Sequence, residues 1–294
     1  MALQALLTRQ DPRQLADPAL AFATCVAYPF CKPSQWPGPE PAKTTARLLW
    51  DAEHLFIMYT AEGSFAPPIE PGQCQPAVLA ALKADYDPDF ADPTLQAVIM
   101  LDDRCEVFVQ AVLPGVLYQS YFALEINREG RAITNINQSV TSRQFDRAWD
   151  ASSAYTAQYD ESSGTLLVAL SWRALNIQPG STKVNIGLFR AMKPEPMAAQ
   201  TSDGATIDLP LMSEINESMI WSAWTDPGDD VVDFHRAAFL GELELLEPSA
   251  AAVAEEQEVA AAGGAGDGEG GGVVASLIKT VQGWFGGGEE RAKL

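Results

Sequence analysis

The chain has 294 residues, a hydrophobic fraction of 47% and a formal net charge of −20, from 19 basic and 39 acidic side chains. That apolar share suits a packed globule of one large or two small domains. The charge argues against a phosphate-backbone or anionic-membrane partner for the body of the protein, because such partners need a basic face, and it is read as an aid to solubility.

In chain order, "MALQALLTRQDPRQLADPALAF" opens without the basic start and unbroken apolar run of a secretory signal. Asp11 and Asp17 count against a transit peptide, so a cytoplasmic protein is expected. Residues 1–43 read as an N-terminal extension, rich in proline and poor in periodicity. At 44 the strand signals begin: "TARLLW" and "LFIMYTAE" flank "DAEH", a hairpin pattern of two apolar runs about a polar turn. A Pro-rich stretch follows over 63–94, with "PAVLAALKADY" as its one helical candidate. A loop of that length inside a domain usually carries function or no fixed structure. Its Asp85, Asp87, Asp89 and Asp92 do not make an EF-hand, since Phe90 and Gln96 stand where glycine and glutamate are required.

Strands resume with "AVIMLDDRCEVFVQ" and "LYQSYFALEINREG", then "AYTAQYD", "GTLLVALSW", "TKVNIGLFR", "SMIWSAW" and "FLGELELL". "WRALNIQPG" reads as a single helical turn closed by Pro179 and Gly180. Short strands and regular turns with little helix predict an all-β chain, an antiparallel β-sandwich of jelly-roll type over 44–247. Beyond it, 248–272 is an Ala/Gly/Glu-rich low-complexity linker. Residues 273–294 form an amphipathic helix and tail, with Leu277, Ile278, Val281, Trp284 and Phe285 on one stripe. Such a tethered stripe is expected to dock on a protein partner. A membrane surface is the weaker alternative, because Lys279 is the one cation within the helix.

Cys25, Cys31, Cys74 and Cys105 follow no zinc spacing and only two histidines accompany them, so no metal or other cofactor is expected. Reduced thiols are favoured over a Cys25–Cys31 disulfide. Trp172, Trp221 and Trp224 read as core or rim residues, Trp50 as an exposed strand end and Trp36 as a cover for one end of the domain.

Alternation within the strands singles out one surface. In "RCEVFVQ", Cys105, Val107 and Val109 share a face and Glu106, Phe108 and Gln110 the other; in "YFALEIN", Phe122, Leu124 and Ile126 oppose Tyr121, Ala123, Glu125 and Asn127. In "KVNIGLFR", Asn185 and Phe189 fall on the non-core side. If these strands are neighbours, Glu106 and Glu125 share a surface with amides and flat rings, a mixture that suits the hydroxyls and C–H faces of sugars. The alternative is an ordinary sheet face turned to water.

The ordered set "RLLWDAEHLFIMY", "DDRCEVFV", "YFALEINREG", "LSWRALNIQPG", "VNIGLFR" and "IWSAWTDPGDDVVDFHRAAFLGELEL" resembles family 9 carbohydrate-binding modules, β-sandwiches related to the DOMON group, over about 44–246. The resemblance implies non-catalytic sugar binding through Glu106, Glu125, Asn127, Trp224, Phe234 and His235. Glu106 would accept hydroxyl hydrogen bonds, Phe234 would stack and Asn127 would orient the ligand. Glu106 matches the family's glutamate. Met100 and Phe234 stand at the two tryptophan positions, Glu125 stands at the arginine position, and the asparagine position falls near Val231. A carboxylate in place of the arginine implies a rebuilt or abandoned site. Two other readings accompany it: a polar network of His235 and Arg236 with the two glutamates, and an intracellular scaffold whose terminal helix makes the contact. A catalytic carboxylate pair is set aside, because the related modules leave hydrolysis to separate domains. Haem ligation by Met58 or Met100 with His235 is set aside for want of a motif.

Overall fold

A computed structural model describes residues 2–36, 38–63, 65–68, 99–115, 120–137, 145–146, 153–180, 182–192, 219–226, 228, 234 and 239–247. The segments expected to form a linker and a partner-docking helix, residues 248–294, lie outside these residues, as do most of the 63–94 loop, Cys74, Val231, His235 and Arg236.

Among the described residues strands are the main regular element and helix is nearly absent. Thirteen strands run β1 (Ala2–Leu7), β2 (Tyr28–Pro29), β3 (Thr44–Trp50), β4 (His54–Ala61), β5 (Arg104–Val112), β6 (Tyr121–Asn127), β7 (Ala132–Asn137), β8 (Phe145–Asp146), β9 (Tyr155–Asp160), β10 (Thr165–Ser171), β11 (Lys183–Met192), β12 (Ile220–Ala223) and β13 (Gly241–Leu246). They form one curled, mixed sheet in the order β8-β7-β6-β5-β11-β13-β1-β3-β4-β10-β9, with β12 on β11 and β2 on β3. The sheet is not purely antiparallel. Strand β1, drawn from the stretch the sequence presents as an extension, runs parallel to both β13 and β3 and joins the two halves. Its Leu3 and Ala5 are fully buried, an alternating pair on one face of the strand.

The expected hairpin forms between β3 and β4. The Asp51 carboxylate organises its turn by accepting from the backbone N–H groups of Glu53 (2.7 Å) and His54 (2.6 Å). "WRALNI" makes a helical turn in which the Leu175 N–H donates to the Ser171 carbonyl, and Asn176, at φ 53°, ends it. The "AVIM" segment departs from expectation. Residues 99–101 are helical and the Asp102 N–H donates to Ile99, so the strand begins only at Arg104.

Three apolar layers follow from strand alternation. The main core joins Val107, Leu124 and Leu188 from one half of the sheet to Leu48, Tyr59 and Val168 from the other. The Tyr59 hydroxyl donates across it to the Glu106 carbonyl at 3.2 Å. A second cluster, around Phe56, Met58 and Phe22, covers the outer face of β3, β4 and β10 beneath two 3-10 turns, Pro12–Gln14 and Pro18–Phe22. The third lies on the non-core face of β5, β6 and β11: Phe108, Tyr121, Phe189, Trp221, Phe234 and Phe239. Trp50 is buried, contrary to its expected exposure, because its indole N–H donates to the Leu246 carbonyl at 3.2 Å. Trp172 is in the main core, and Trp36 is half-buried edge-on to Trp221. Cys25, Cys31 and Cys105 are free thiols; burial pushes the Cys25 thiol up to about 11 and the Cys105 thiol well above its ordinary value. Among the described residues no helix is long and apolar enough to cross a membrane.

Candidate functional site

Strands β5 and β6 pair antiparallel with Glu106 directly opposite Glu125, on the face away from the main core. The register therefore presses two carboxylates together on a surface otherwise made of rings. Arg104, two residues before Glu106 and so on the same face, lies between them. Its Nε is 3.1 Å from Glu106 Oε1 and 3.0 Å from Glu125 Oε2. Its Nη2 is 2.9 Å from Glu106 Oε1, and its Nη1 donates to the Met100 carbonyl at 2.9 Å. The guanidinium carbon stands 5.2 Å from the centre of the Trp221 ring, a cation–π contact. Side-chain exposure is 1% for Arg104, 5% for Glu106 and 12% for Glu125, which places Glu125 at the solvent edge of the cluster.

One guanidinium between two buried carboxylates leaves one negative charge too many. Burial raises the Glu106 carboxyl to about 8, with the Glu125 charge adding to the rise and Arg104 opposing it. The site can donate and accept hydrogen bonds from the same few atoms.

Asn127 also lies on this side of β6. Its amide N–H donates to Asp102 Oδ2 at 2.8 Å, and its carbonyl oxygen accepts from the backbone of Glu129 and Arg131 at 3.0 and 3.1 Å. Asn127 thus shapes the β6–β7 turn. Phe234 joins the third apolar cluster, stacked on Phe189 at 4.3 Å and edge-on to Trp221 at 5.1 Å. Trp224 does not share this face: it packs in the main core, its N–H donating to the Leu188 carbonyl. Among the expected binding residues the structure therefore brings together Glu106 and Glu125, with Phe234 in the adjoining ring cluster. In the "W-x-D-P" segment, Asp226 accepts from the backbone N–H groups of Ser34 and Gly228, so this aspartate is a loop clamp.

Two groups escaped the sequence reading. Arg104 supplies a guanidinium from β5, so the site holds a cation. Arg190 forms a second buried pair on the opposite face, bidentate to Asp103 at 3.0 and 2.8 Å and bonded to Thr44 at 2.9 Å. Asp103 also accepts from the Ala66 N–H, so this pair ties β11, β3 and the 65–68 segment together.

Two shallow clefts, of about 310 and 280 Å³, lie elsewhere, one beside Asp17, Gln158 and Asp160 and the other beside Lys183 and Glu242; neither contains Arg104, Glu106 or Glu125. Among the described residues no group of three His, Cys, Asp or Glu side chains is placed to hold a metal ion.

No family model and no curated protein matches the chain. Solved structures share its fold. A protein of Bacteroides uniformis ATCC 8492, described as carbohydrate-binding, superposes with a TM-score of 0.53 at 11% identity, covering 83% of this chain and 99% of its own. A family 9 carbohydrate-binding module of Caldicellulosiruptor kristjanssonii in complex with cellotriose gives 0.46 at 9% identity, covering 86% and 97%. The likeness to the Bacteroides uniformis protein is one of fold.

Proposed function

We propose that the chain is a non-catalytic carbohydrate-binding protein, a β-sandwich relative of the family 9 modules. On this reading a neutral saccharide is held at the edge of the Arg104–Glu106–Glu125 cluster. The observation that carries it is the buried guanidinium clamped between two carboxylates and laid against Trp221. Charged hydrogen-bonding groups beside an indole are the chemistry that recognises hydroxyls and a sugar ring together. The shared fold of the Bacteroides uniformis protein supports the same reading. Glu125, the most exposed of the three, is the proposed hydroxyl acceptor, and Glu106 fixes the guanidinium behind it.

Affinity electrophoresis in gels containing hydroxyethyl cellulose, xylan or soluble starch tests this. The wild-type chain should be retarded by at least one polysaccharide. Glu125→Gln should weaken that retardation about tenfold or more, the scale of a lost hydrogen bond to a charged group. Wild-type migration unchanged in every gel defeats the reading.

A second reading has its own observation. The ring surface of this face is occupied by the chain's own Phe189–Phe234 stack, with Phe234 only 7% exposed. That arrangement favours a scaffold in which the cluster locks strand register and residues 273–294 dock a partner. Unretarded migration of a fully stable protein would leave the scaffold standing.

A further inference from the structure

One buried polar atom on the candidate face has no hydrogen-bond partner among the described residues. Strand β7 pairs antiparallel with β6 so that Ile133 lies opposite Glu125 and Asn135 opposite Ala123. Asn135 therefore shares the face of Glu106 and Glu125. It is a diagonal neighbour of Glu125 on one side and of Tyr121 on the other, and such neighbours in an antiparallel pair lie about 7–8 Å apart. It is 6% exposed, and its side-chain carbonyl oxygen is buried with no hydrogen-bond partner among the described residues.

That is unusual. Buried side-chain oxygens are nearly always paired, since an unpaired one forfeits its hydration without return. Leucine is of similar size and would fill this place between Ile133 and Ala123 without that cost. The same face offers the contrast. Asn127 satisfies its amide through Asp102 and the β6–β7 turn, and Asn185 donates to Gln110 at 3.1 Å. Of these three amides, Asn135 is the one whose side-chain oxygen is both buried and without a partner among the described residues.

We infer that Asn135 is a further ligand-contacting residue of the Arg104–Glu106–Glu125 site, its amide oxygen accepting a hydroxyl hydrogen from a neutral polyhydroxylated ligand. This rests on the carbohydrate-binding reading and extends the site from two strands to three. Glu125 and Asn135 then present two acceptors one diagonal apart, a spacing that a single sugar ring with its exocyclic hydroxyls can bridge. With Arg104 already bonded to Glu106 and Glu125, the two acceptors favour hydroxyl donors and disfavour anionic sugars, whose carboxylate would face Glu125.

The test is Asn135→Leu, with Asn135→Ala as the variant that avoids any crowding. It is read by isothermal titration with cellotriose, xylotriose and maltotriose and by thermal unfolding. The expected result is a tenfold or greater rise in Kd for the trisaccharide that the wild type binds. The melting temperature should be unchanged or higher, because removing an unpaired acceptor takes nothing from the folded state. Equal affinity in wild type and both variants overturns the role of Asn135 while leaving the carbohydrate-binding reading intact. A melting temperature lowered in both variants also overturns it, by showing that the oxygen serves the fold. Absence of wild-type binding to all three trisaccharides and to their parent polysaccharides overturns both.

Discussion

Arg104→Met is expected to lower the unfolding free energy by about 3–5 kcal/mol, the cost of breaking a buried ion pair and leaving its charge behind. The reason is local. Glu106 and Glu125 are opposite one another in the β5–β6 register, and Arg104 is the cation that bonds to both. Methionine keeps much of the apolar stem but removes the fork of donors and the contact with Trp221, the latter alone worth roughly 0.5–2 kcal/mol. A second substitution identifies the cause. Glu125→Gln in the Arg104→Met background should restore part of the loss, because it replaces one of the two acidic groups that the substitution strands. Lys183→Met is the control. Its partner Glu242 is 2.7 Å away, but the two side chains are 55% and 46% exposed, and such surface pairs contribute about 0–1 kcal/mol. Chemical denaturation of the four proteins checks the ranking. A loss below about 1 kcal/mol for Arg104→Met would mean that water screens the cluster.

Stability should also fall as pH rises from about 4.5 to about 8. Over that window the Glu106 carboxyl keeps its proton in the folded chain, where burial and Glu125 raise it to about 8, and has lost it in the unfolded chain. The unfolded state then binds fewer protons, so the unfolding free energy decreases with pH. At about 1.4 kcal/mol per unit of pKa difference the total is on the order of a few kcal/mol, reduced by whatever relaxation the pair allows. Asp11 and Asp226 act elsewhere. Hydrogen bonds from Arg13 hold the Asp11 carboxyl below its usual value against the opposing effect of burial. Those from Gly228 and Ser34 do the same for Asp226. Their stabilisation is lost only as the solution becomes acidic. Glu106→Gln should flatten the slope between about pH 5 and 8 and leave the acid limb in place. A slope that persists in Glu106→Gln would assign it to the general repulsion of a chain with net charge −20.

Much of this arrangement was legible in the sequence because strand alternation has a period of two. "CEVFVQ" and "YFALEIN" placed Glu106 and Glu125 on one face, and the pairing of the two strands then set them opposite each other. Arg104 was legible by the same parity, but the family position for arginine drew attention to Glu125 instead. Two features lay beyond local pattern. Strand β1 is held by parallel pairing with β13, more than 200 residues away in sequence, and no periodicity within "ALQALL" reports so distant a partner. Trp224 stands just past the end of β12 and three residues from Trp221, and that odd spacing turns its side chain to the main core. The unpaired oxygen of Asn135 could not be foreseen, since satisfaction of a buried amide depends on every side chain around it.

The most direct test of the binding account is to watch the guanidinium itself. In a ¹⁵N-resolved NMR titration with the trisaccharide that the wild type retains, the Arg104 Nε–H and Trp221 Nε1–H resonances should shift together and saturate along one isotherm. The backbone of β9 and β10, on the other arm of the sheet, should stay in place. Saturable binding that moves β9 and β10 while leaving Arg104 and Trp221 unshifted, or no shift of any resonance up to millimolar saccharide, would contradict it.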